Sequence, residues 1–454
     1  MIDMGYLKMY QALQKVLRGE SIKFMLSDEM AAAVELWGRM YKNRSPWLKK
    51  KRKGAGLPAA ISAEIARLIT LELDSKVEGS EYLDRYYQKV MRQLRIQTEY
   101  GCAKGGIIFK PYPTENGLAL QYVQADNFFP LEYDTDTITR AAFLDQFREG
   151  DNIYSRFELH TLMEDGIEIQ NRAFLSRTSG ILGSEVPLST VNRWAAMEAK
   201  VEFPGATKLP FGYFKVPLGN TDDPGNTIGV SVFSRAVGHI QEADKRYSQI
   251  NWEYESKEAA IHIAQSLLKY KPDTDSFEYP GGKERLYRAI DYNAGAADKP
   301  FIDTYSPDIR DASLINGFNQ ILRLVEFNCN LAYGTLSDPS AVEKTAEEIK
   351  ASKQRSYSFI ESCQTSLQHA LEDLVDAMAF WAGLYDFDHS TQYRTTFVWD
   401  DSIVVDTEKE RSTDRADVSM GAMQLWEYRM KWYGEDEATA KAAVMAPQDS
   451  GVIE

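Results

Sequence analysis

The sequence has little of what disulfide frameworks, metal sites and redox centres are built from. Its three cysteines, Cys102, Cys329 and Cys363, lie far apart and form no CxxC spacing. Neither a disulfide framework nor a thiolate zinc site is indicated, and a reducing cytoplasm suits the chain. The five histidines form no HxH, HExxH or His-x3-His arrangement. We therefore interpret them as structural and expect no metal and no cofactor.

Glycine-rich phosphate loops and membrane-spanning runs are also missing. Neither GxxxxGKS/T nor GxGxxG occurs, so the chain is not by itself a P-loop motor. No apolar run approaches the ~18 residues needed to cross a bilayer. The N-terminus lacks the apolar block and cleavage site of a signal peptide. We expect a protein that is made and used inside a cell, with no membrane partner.

Positive charge is scarce. Lys and Arg number 52 against 67 Asp and Glu, which gives a net charge of −15. This balance excludes a protein that holds nucleic acid by general electrostatic attraction. One basic run stands out near the N-terminus, and it comprises Lys49, Lys50, Lys51, Arg52 and Lys53. Such a run suits contact with nucleic acid or with an acidic neighbouring subunit, although a solvated arm is the simpler interpretation.

Apolar periodicity divides the first half of the chain into helices and then strands. Helical spacing predicts helices over 6–18, 27–41, and in two segments between 58 and 101. From Gly105 to about Phe174 the period changes to short alternating segments separated by turn residues. This pattern predicts an antiparallel meander or sandwich.

The second half of the chain is dominated by long helical patterns. We predict one helix from Val230 to Leu268 and another from Arg310 to Tyr333, with a polar insert of turns and short strands between them. From Ala341 to Tyr385 there is no proline, so a helix of about 45 residues is allowed. A late strand at 394–411 and short terminal helices complete the chain.

The long helix after Pro339 has two different halves. Its second half carries a continuous apolar face. Its first half is rich in charge, and its thin apolar stripe is interrupted at Lys353. Charged side chains of this kind are most stable in contact with water, either at the protein surface or along a water-filled lumen. An exposed linker helix is equally consistent with the periodicity.

Clustered carboxylates give one enzymatic alternative. Asp400, Asp401 and Asp406 are residue types that serve metal binding or acid–base chemistry. Strand alternation would place Asp400 and Asp401 on opposite faces, so they do not converge on one ion. We therefore expect a solvated strand end rather than a hydrolase or nuclease centre.

Several segments together resemble the portal proteins of tailed bacteriophages, in particular the group found in A118-like siphophages of Gram-positive hosts. The matching segments are ADNFFPLEYDTDTITRAAF (125–143), GVSVFSRAVGHIQEADKRYSQINWEYE (229–255), EKTAEEIKASKQRSYSFI (343–360), FVWDDSIVVDTEKER (397–411) and DVSMGAMQLWEYRMKWYGEDEATA (417–440). They occur in the family's order and span about residues 80–445. The stretch before residue 60 is similar only weakly.

The resemblance implies a structural conduit rather than an enzyme. Members of this family form a ring, typically of twelve subunits, around a DNA channel at one capsid vertex. Double-stranded DNA would pass non-specifically through it during genome packaging and ejection. The implied partners are sister copies, the terminase large subunit, the head–tail adaptor or connector, and the major capsid and scaffolding proteins. The protein would be assembled in the host cytoplasm and found in the virion. A minor capsid or scaffold protein without a channel is the alternative.

The implied fold is a helix-rich α+β portal fold. It has an α/β wing, a two-helix stem, a small α/β clip, a long tunnel helix and a short helical crown. The expected regions are N-terminal helices and basic arm (1–60), wing (61–228), first stem helix (229–268), clip (269–306), second stem helix (307–333), tunnel loop with long helix and return strand (334–416), and crown (417–454).

The same resemblance assigns site residues. The channel and tunnel-loop residues are Thr335, Ser337, Asp338, Ser340, Glu343, Lys344, Glu347, Glu348 and Lys350. The clip-interface residues are Lys283, Arg285 and Arg288, and the candidate basic contact arm is Lys49–Lys53. We expect a mostly acidic channel wall to which Glu343, Glu347 and Glu348 contribute, because a wall that attracted phosphates strongly would hold the duplex.

Overall fold

A computed structural model describes most of the chain. The described residues are 5–19, 22, 24–48, 54–71, 73–135, 137–226, 228–258, 260–264, 268–273, 275–278, 287–290, 302–306, 308–338, 346–388, 392–399 and 407–445. The chain divides into a larger unit, Met1–Thr70 with Lys76–Thr395, and a smaller unit, Leu71–Ser75 with Thr396–Glu454. Helices and strands are mixed along the sequence, as an α+β protein requires.

Helices and strands are numbered here in chain order. The helices are α1 (Tyr6–Val16), α2 (Asp28–Tyr41), α3 (Leu57–Thr70), α4 (Glu81–Met91), α5 (Leu94–Lys104), α6 (Val237–Ser256), α7 (Asp311–Asn328), α8 (Ala346–Leu384), α9 (Thr407–Met420), α10 (Leu425–Tyr433) and α11 (Glu437–Met445). The strands are β1 (Leu73–Glu78), β2 (Gly106–Thr114), β3 (Gly117–Gln124), β4 (Phe128–Asp134), β5 (Thr137–Glu149), β6 (Asn152–Met163), β7 (Gly166–Ser176), β8 (Ser184–Val186), β9 (Lys200–Pro204), β10 (Gly212–Lys215), β11 (Ala260–Ala264), β12 (Lys269–Lys271), β13 (Ser276–Glu278), β14 (Tyr287–Ile290), β15 (Ile302–Tyr305) and β16 (Arg394–Trp399).

The predicted antiparallel strands form two sheets in the larger unit. One sheet has the order β4-β5-β6-β7-β8, with β9 added against β7. The other has the order β10-β2-β3. Neighbouring strands in both sheets run antiparallel, and several are joined by short turns. The change from helical to alternating periodicity at Gly105 is therefore confirmed as a change from helix to sheet.

Helix α8 packs its C-terminal half onto the sheet formed by β10, β2 and β3. The predicted apolar face of this half is confirmed, since all its members are buried. These are Phe359, Cys363, Leu367, Leu371, Leu374, Met378 and Trp381. Burial of this stripe stabilises the unit, because each Å² of apolar area removed from water contributes roughly 25 cal/mol.

The predicted N-terminal helices are also confirmed, and they join the same unit. Tyr6 of α1 stacks on Phe129 with a ring separation of 4.7 Å, and its hydroxyl donates to the carbonyl of Phe128 at 2.7 Å. Ser27 and Ser80 cap α2 and α4 by accepting from backbone N–H groups in the first turn of each helix. The first helices are thus packed on the strand region rather than held apart from it.

Two of the long helices predicted from the sequence are shorter than expected. The helix predicted over 229–268 is confirmed only between Val237 and Ser256. Before it, Val230 to Phe233 are non-helical and buried, with the N–H of Val232 donating to the carbonyl of Cys102. The helix predicted over 310–333 ends at Asn328, because Asn330 adopts a left-handed conformation with φ 55°.

The strand insert between these helices begins earlier than predicted. Residues Ala260–Ala264 were expected to be helical, but they form β11 at the centre of a three-stranded sheet. This strand pairs parallel with β14 and antiparallel with β15, while β12 and β13 form a separate hairpin. The β-branched residues Ile261 and Ile263, two apart, favour a strand here. The module therefore extends beyond the predicted range of 269–306.

The smaller unit contains the C-terminal helices. Strands β1 and β16 form a two-stranded sheet, in which Ser75 Oγ donates to the carbonyl of Thr396 at 2.8 Å. Helix α9 begins at Thr407, so the boundary predicted between residues 416 and 417 falls inside a helix. Arg411 and Arg415 of α9 both donate to the hydroxyl of Tyr428 on α10 at 3.1 Å. These contacts tie the helices of this unit together.

The three cysteines are buried free thiols. In the part of the chain that the structure describes, no helix combines the length and apolar character that a bilayer crossing requires. The same described residues hold no group of three or more His, Cys, Asp or Glu side chains placed to bind a metal ion.

The close approach of β10 to α8 gives a first prediction. A Cβ on Gly212 would lie 1.9 Å from the carbonyl oxygen of Ala370, whereas a Cβ on Gly238 of α6 would meet nothing within 4 Å. We expect Gly212→Ala to lower the free energy of unfolding by about 1–3 kcal/mol, because the helix must move off the sheet. Gly238→Ala should be neutral or stabilising by up to about 1 kcal/mol. Urea unfolding of both variants measures this, and equal effects would contradict it.

Candidate functional site

A buried carboxylate organises the segment that joins α7 to α8. Glu326 lies in the last turns of α7 and is fully buried. One of its oxygens accepts from the backbone N–H groups of Gly334, Leu336 and Ser337 at 3.1, 2.6 and 2.8 Å. The other accepts from the hydroxyl of Ser337 at 2.9 Å. The chain from 333 to 338 is thus folded around this carboxylate.

Helix α7 supplies a second polar anchor on the same buried stripe. Asn319, Leu322 and Glu326 are buried at helical spacing, so two polar residues occupy positions that an apolar stripe would normally fill. Asn319 Oδ1 accepts from the N–H of Asp338 at 3.3 Å. Sequence reasoning missed both residues. The sequence did contain one signal of their role, since both residues interrupt an otherwise apolar helix face. A polar side chain on a buried face needs a hydrogen-bond partner from another part of the chain.

Helix α8 holds the other side of this segment. The N–H of Tyr333 donates to Ser352 Oγ at 2.9 Å. Arg355 donates to the carbonyl of Leu331 at 3.3 Å, and its guanidinium lies 4.6 Å from the ring centroid of Phe327. Both helices therefore fix residues 331–338, which we call the anchored segment. A shift of its backbone would therefore break several of these hydrogen bonds.

The predicted channel residues are distributed unevenly with respect to this anchored segment. Thr335 is exposed and caps its own turn by donating to the carbonyl of Ala332 at 2.6 Å. Ser337 is buried against Glu326, so its hydroxyl serves the fold of the segment. Asp338 ends the described part of the segment. Ser340, Glu343 and Lys344 lie outside the described residues, as do the side chains of Glu347, Glu348 and Lys350 on α8.

The part of α8 before its apolar face, residues 351–358, is polar even where it is buried. Its described buried positions include the small side chains of Ser352 and Ser356, while Lys353 and Gln354 are exposed. The predicted contrast between the two halves of this helix is therefore confirmed only from Ala351 onward, because the side chains before it lie outside the described residues. A face of this kind buries little apolar area within the subunit, so it gains little from packing there.

A second carboxylate, Glu253, joins the C-terminal end of α6 to the N-terminal end of α7. Glu253 of α6 accepts from Arg310 Nη2 at 3.0 Å and Nε at 3.2 Å, and from Lys257 Nζ at 2.8 Å. Hydrogen bonding to Arg310 and then to Lys257 lowers the pKa of Glu253 to about 2. Lys257 also donates to the carbonyl of Asp308 at 2.6 Å. This junction joins the helices where the chain enters and leaves the strand module.

A third carboxylate, Asp244 of α6, holds both ends of the basic run. One oxygen accepts from Trp47 Nε1 and the other from the N–H of Ala55, each at 2.8 Å. Asp244 is 4 % exposed, so these bonds are shielded from water. The run Lys49–Lys53 itself lies outside the described residues. Its two flanking residues nevertheless meet at one point on α6.

The remaining predicted groups lie outside what the structure describes, so their arrangement stays a prediction. Lys283 and Arg285 lie outside the described residues, and Arg288 is on β14 with its side chain not described. Asp400, Asp401 and Asp406 also lie outside the described residues. The described part of this region holds three carboxylates that anchor connecting segments, namely Glu326, Glu253 and Asp244.

Comparisons with known proteins identify a family. The family model described as "Phage portal protein, SPP1 Gp6-like" matches residues 70–423, which is well over half of the chain. No curated protein matches the sequence. Among solved structures, a chain from "Neck of native GTA particle computed with C12 symmetry" is 12 % identical, with 96 % of this chain and 98 % of that chain covered and a TM-score of 0.42. We draw no conclusion from this last likeness.

The anchored segment gives a second prediction. Glu326→Ala removes the acceptor of four donors, so we expect a loss of about 2–4 kcal/mol in the free energy of unfolding. Backbone amides of Gly334, Leu336 and Ser337 should exchange hydrogen at least about tenfold faster. Glu326→Gln should give a smaller effect, since its amide oxygen still accepts. Glu361→Ala, at an exposed position of α8, is the control. Unchanged amide exchange in Glu326→Ala would refute this role.

The junction at Glu253 gives a third prediction. Its pKa in the folded protein, about 2, lies below the ordinary value of 4.5. The bonds to Arg310 and Lys257 therefore stabilise the fold above about pH 4.5, and this stabilisation is lost as the pH falls toward 2. Urea midpoints of wild type and Glu253→Gln should differ at pH 6 and converge toward pH 2.5. Glu255→Gln, at an exposed position, should follow wild type throughout. A constant offset at every pH would contradict the assignment.

Proposed function

The chain belongs to the phage portal proteins of the SPP1 Gp6-like family, and from this we propose that its copies assemble into a closed ring around a DNA channel at one vertex of the capsid. The ring would contain about twelve subunits. It would dock the terminase large subunit while the genome enters and then hold the head–tail connector through which the genome leaves. The role is structural, and we assign no reaction to it.

One observation carries the ring proposal. The paired helices α6 and α7 expose large apolar side chains to solvent, including Trp252 at 67 % and Phe327 at 52 %. The others on these two helices are Tyr254, Ile315 and Leu324. A monomer in solution would leave this apolar area in water, whereas neighbouring copies would cover it.

The placement of these side chains supports two neighbours rather than one. At about 100° per residue, Ile315 and Leu324 project from opposite sides of α7. Trp252 and Tyr254 likewise project from nearly opposite sides of α6. A two-fold dimer needs one self-complementary patch, but a ring subunit contacts one neighbour on each side. The two-sided distribution of apolar residues therefore favours a cyclic assembly.

The channel is proposed to lie along the anchored segment and the first half of α8. Among the side chains described at 351–358, the buried ones are serines, so the polar surface of this part of α8 suits a hydrated lumen and sister copies. We propose that Thr335, Asp338, Ser340, Glu343, Lys344, Glu347, Glu348 and Lys350 line this channel. A net charge of −15 supports an acidic wall, past which DNA would move without being held by many phosphate contacts.

The strand module and the terminal regions are proposed to meet other proteins. The β11–β15 module would form the clip that docks terminase and then the connector, with Lys283, Arg285 and Arg288 in contact. The paired helices α6 and α7 would be the stem, the sheets before them the wing, and α9–α11 the crown. The wing would face the major capsid and scaffolding proteins. The basic arm, whose flanking residues Trp47 and Ala55 bond to Asp244 of α6, would lie against DNA or an acidic neighbouring subunit.

Imaging and hydrodynamics test the ring directly. Negative-stain micrographs of the purified protein should show rings with a central hole, and sedimentation should give a mass near twelve times 51.5 kDa. Trp252→Glu combined with Leu324→Glu should shift the protein toward monomers, because both sides of the interface then bury a charge.

A matched variant separates assembly from folding. Met163→Glu changes an apolar residue on β6 that is 48 % exposed, close to the 49 % of Leu324, and should leave the rings intact. Circular dichroism should show that the double variant remains folded. Particles without a central hole, or a wild-type protein that stays monomeric, would rule out the ring.

A further inference from the structure

Two arginines of the smaller unit share one neutral acceptor. Arg411 and Arg415 lie about one turn apart on α9, and the Nε of each donates to the hydroxyl of Tyr428 on α10 at 3.1 Å. Because both Nε atoms bond to the same oxygen, they lie within about 6 Å of each other. Tyr428 is buried, so packing fixes the position of its ring. The two guanidinium groups, which we call the arginine pair, are therefore held side by side.

The groups that contact the arginine pair carry no charge. The guanidinium carbon of Arg411 lies 5.7 Å from the ring centroids of both Trp432 and Tyr433. Among the side chains that the structure describes, no acid lies within ion-pair distance of either arginine. Cations held by a phenol and by aromatic rings keep their full charge, whereas a carboxylate would neutralise them.

The described acidic side chains of α9 and α10 serve other partners or project elsewhere. Asp414 accepts from Lys431 Nζ at 2.7 Å. Glu427 accepts from the N–H of Gln424 at 2.8 Å, at the start of α10. Asp417 projects at least about 120° away from both arginines around α9, at 100° per residue. The positive charge beside Tyr428 is thus not compensated by these acids.

This arrangement favours an anion from outside the subunit. Like charges at positions i and i+4 of a helix repel one another and destabilise it. An anion between the two guanidinium groups would remove this repulsion and accept charge-assisted hydrogen bonds from both. Phosphate fits best, because its several oxygens match the planar fork of each arginine. Arg415 is exposed and Tyr433 is 57 % exposed, so such a group can reach the pair.

We propose that the arginine pair binds a phosphate group of the DNA backbone. The phosphate oxygens would accept from N–H groups of Arg411 and Arg415, while the hydroxyl of Tyr428 keeps the two guanidinium groups together. The assignment to DNA rests on the proposed function, since a ring around DNA brings the backbone past every copy. The site itself lies within one subunit. It differs from the proposed channel wall, which is acidic and would let the duplex move.

Chemical footprinting of the full chain tests the site. Phenylglyoxal modifies accessible guanidinium groups, and mass spectrometry of the peptides measures each arginine separately. A short DNA duplex should slow the modification of Arg411 and Arg415 at least about threefold. Arg148 and Arg177, which are exposed on the larger unit, should react at an unchanged rate. Unprotected Arg411 and Arg415, or equal protection of all four, would overturn the proposal.

Two further probes identify the source of the anion. Inorganic phosphate, at the same phosphate concentration as the duplex, should protect Arg411 and Arg415 less than the duplex does. Equal protection would overturn the assignment to DNA and indicate free phosphate. Poly-glutamate at the same charge concentration should also protect less. Stronger protection by poly-glutamate would overturn the proposal and indicate an acidic protein partner.

Variants measure what the arginine pair contributes to affinity. Arg411→Gln with Arg415→Gln should weaken binding of a labelled duplex several-fold at low salt. The slope of log affinity against log salt should fall by about one for each arginine in contact. Arg148→Gln with Arg177→Gln removes the same charge from the larger unit and is the matched control. Arg411→Lys with Arg415→Lys keeps the charge and should lose less affinity than the glutamine pair.

Two measurements keep this test separate from folding and from the ring. Circular dichroism should show that each variant remains folded, and micrographs of the same samples show whether rings form. Rings whose duplex binding falls equally in both glutamine pairs would overturn the phosphate site and leave the ring. Binding that depends on Arg411 and Arg415 in a protein without rings would support the site and rule out the ring.

Discussion

The burial of the C-terminal half of α8 on the sheet of β10, β2 and β3 is the contact on which the larger unit depends. Its apolar stripe fixes the helix axis, and Gly212 brings the sheet within touching distance of the helix backbone. Because α8 is a single helix of 39 residues, fixing one half also sets the direction of the other. The polar half is therefore presented at a defined place even though it buries little itself.

Three buried carboxylates then hold the connecting segments against the helices of the larger unit. Glu326 folds the anchored segment, Glu253 joins the ends of α6 and α7, and Asp244 gathers the flanks of the basic run. In each case the acceptor sits on a helix and the donors come from a connecting segment. Parts proposed to contact DNA or other proteins are thus attached by hydrogen bonds, while the exposed apolar side chains of α6 and α7 would meet neighbouring copies in the proposed ring.

The candidate site could be predicted only in part. The thin apolar stripe after Pro339 predicted that half of α8 needs something other than its own core, and the side chains described at 351–358 agree with this. The importance of Glu326 and Asn319 was not visible, because their donors lie on backbone that periodicity does not describe. Likewise, Trp47 and Ala55 converge on Asp244 from almost two hundred residues away in sequence, a contact that no local pattern signals.

Local sequence by itself determined most helices and strands here, since periodicity follows from which side of an element must avoid water. It also carried the family resemblance. The tertiary structure decided where those elements stop: pairing with β14 and β15 made Ala260–Ala264 a strand, and burial against Cys102 kept Val230–Phe233 out of α6. It also decided which carboxylates hold which segments. Such contacts join residues far apart in the chain, so only the folded arrangement specifies them.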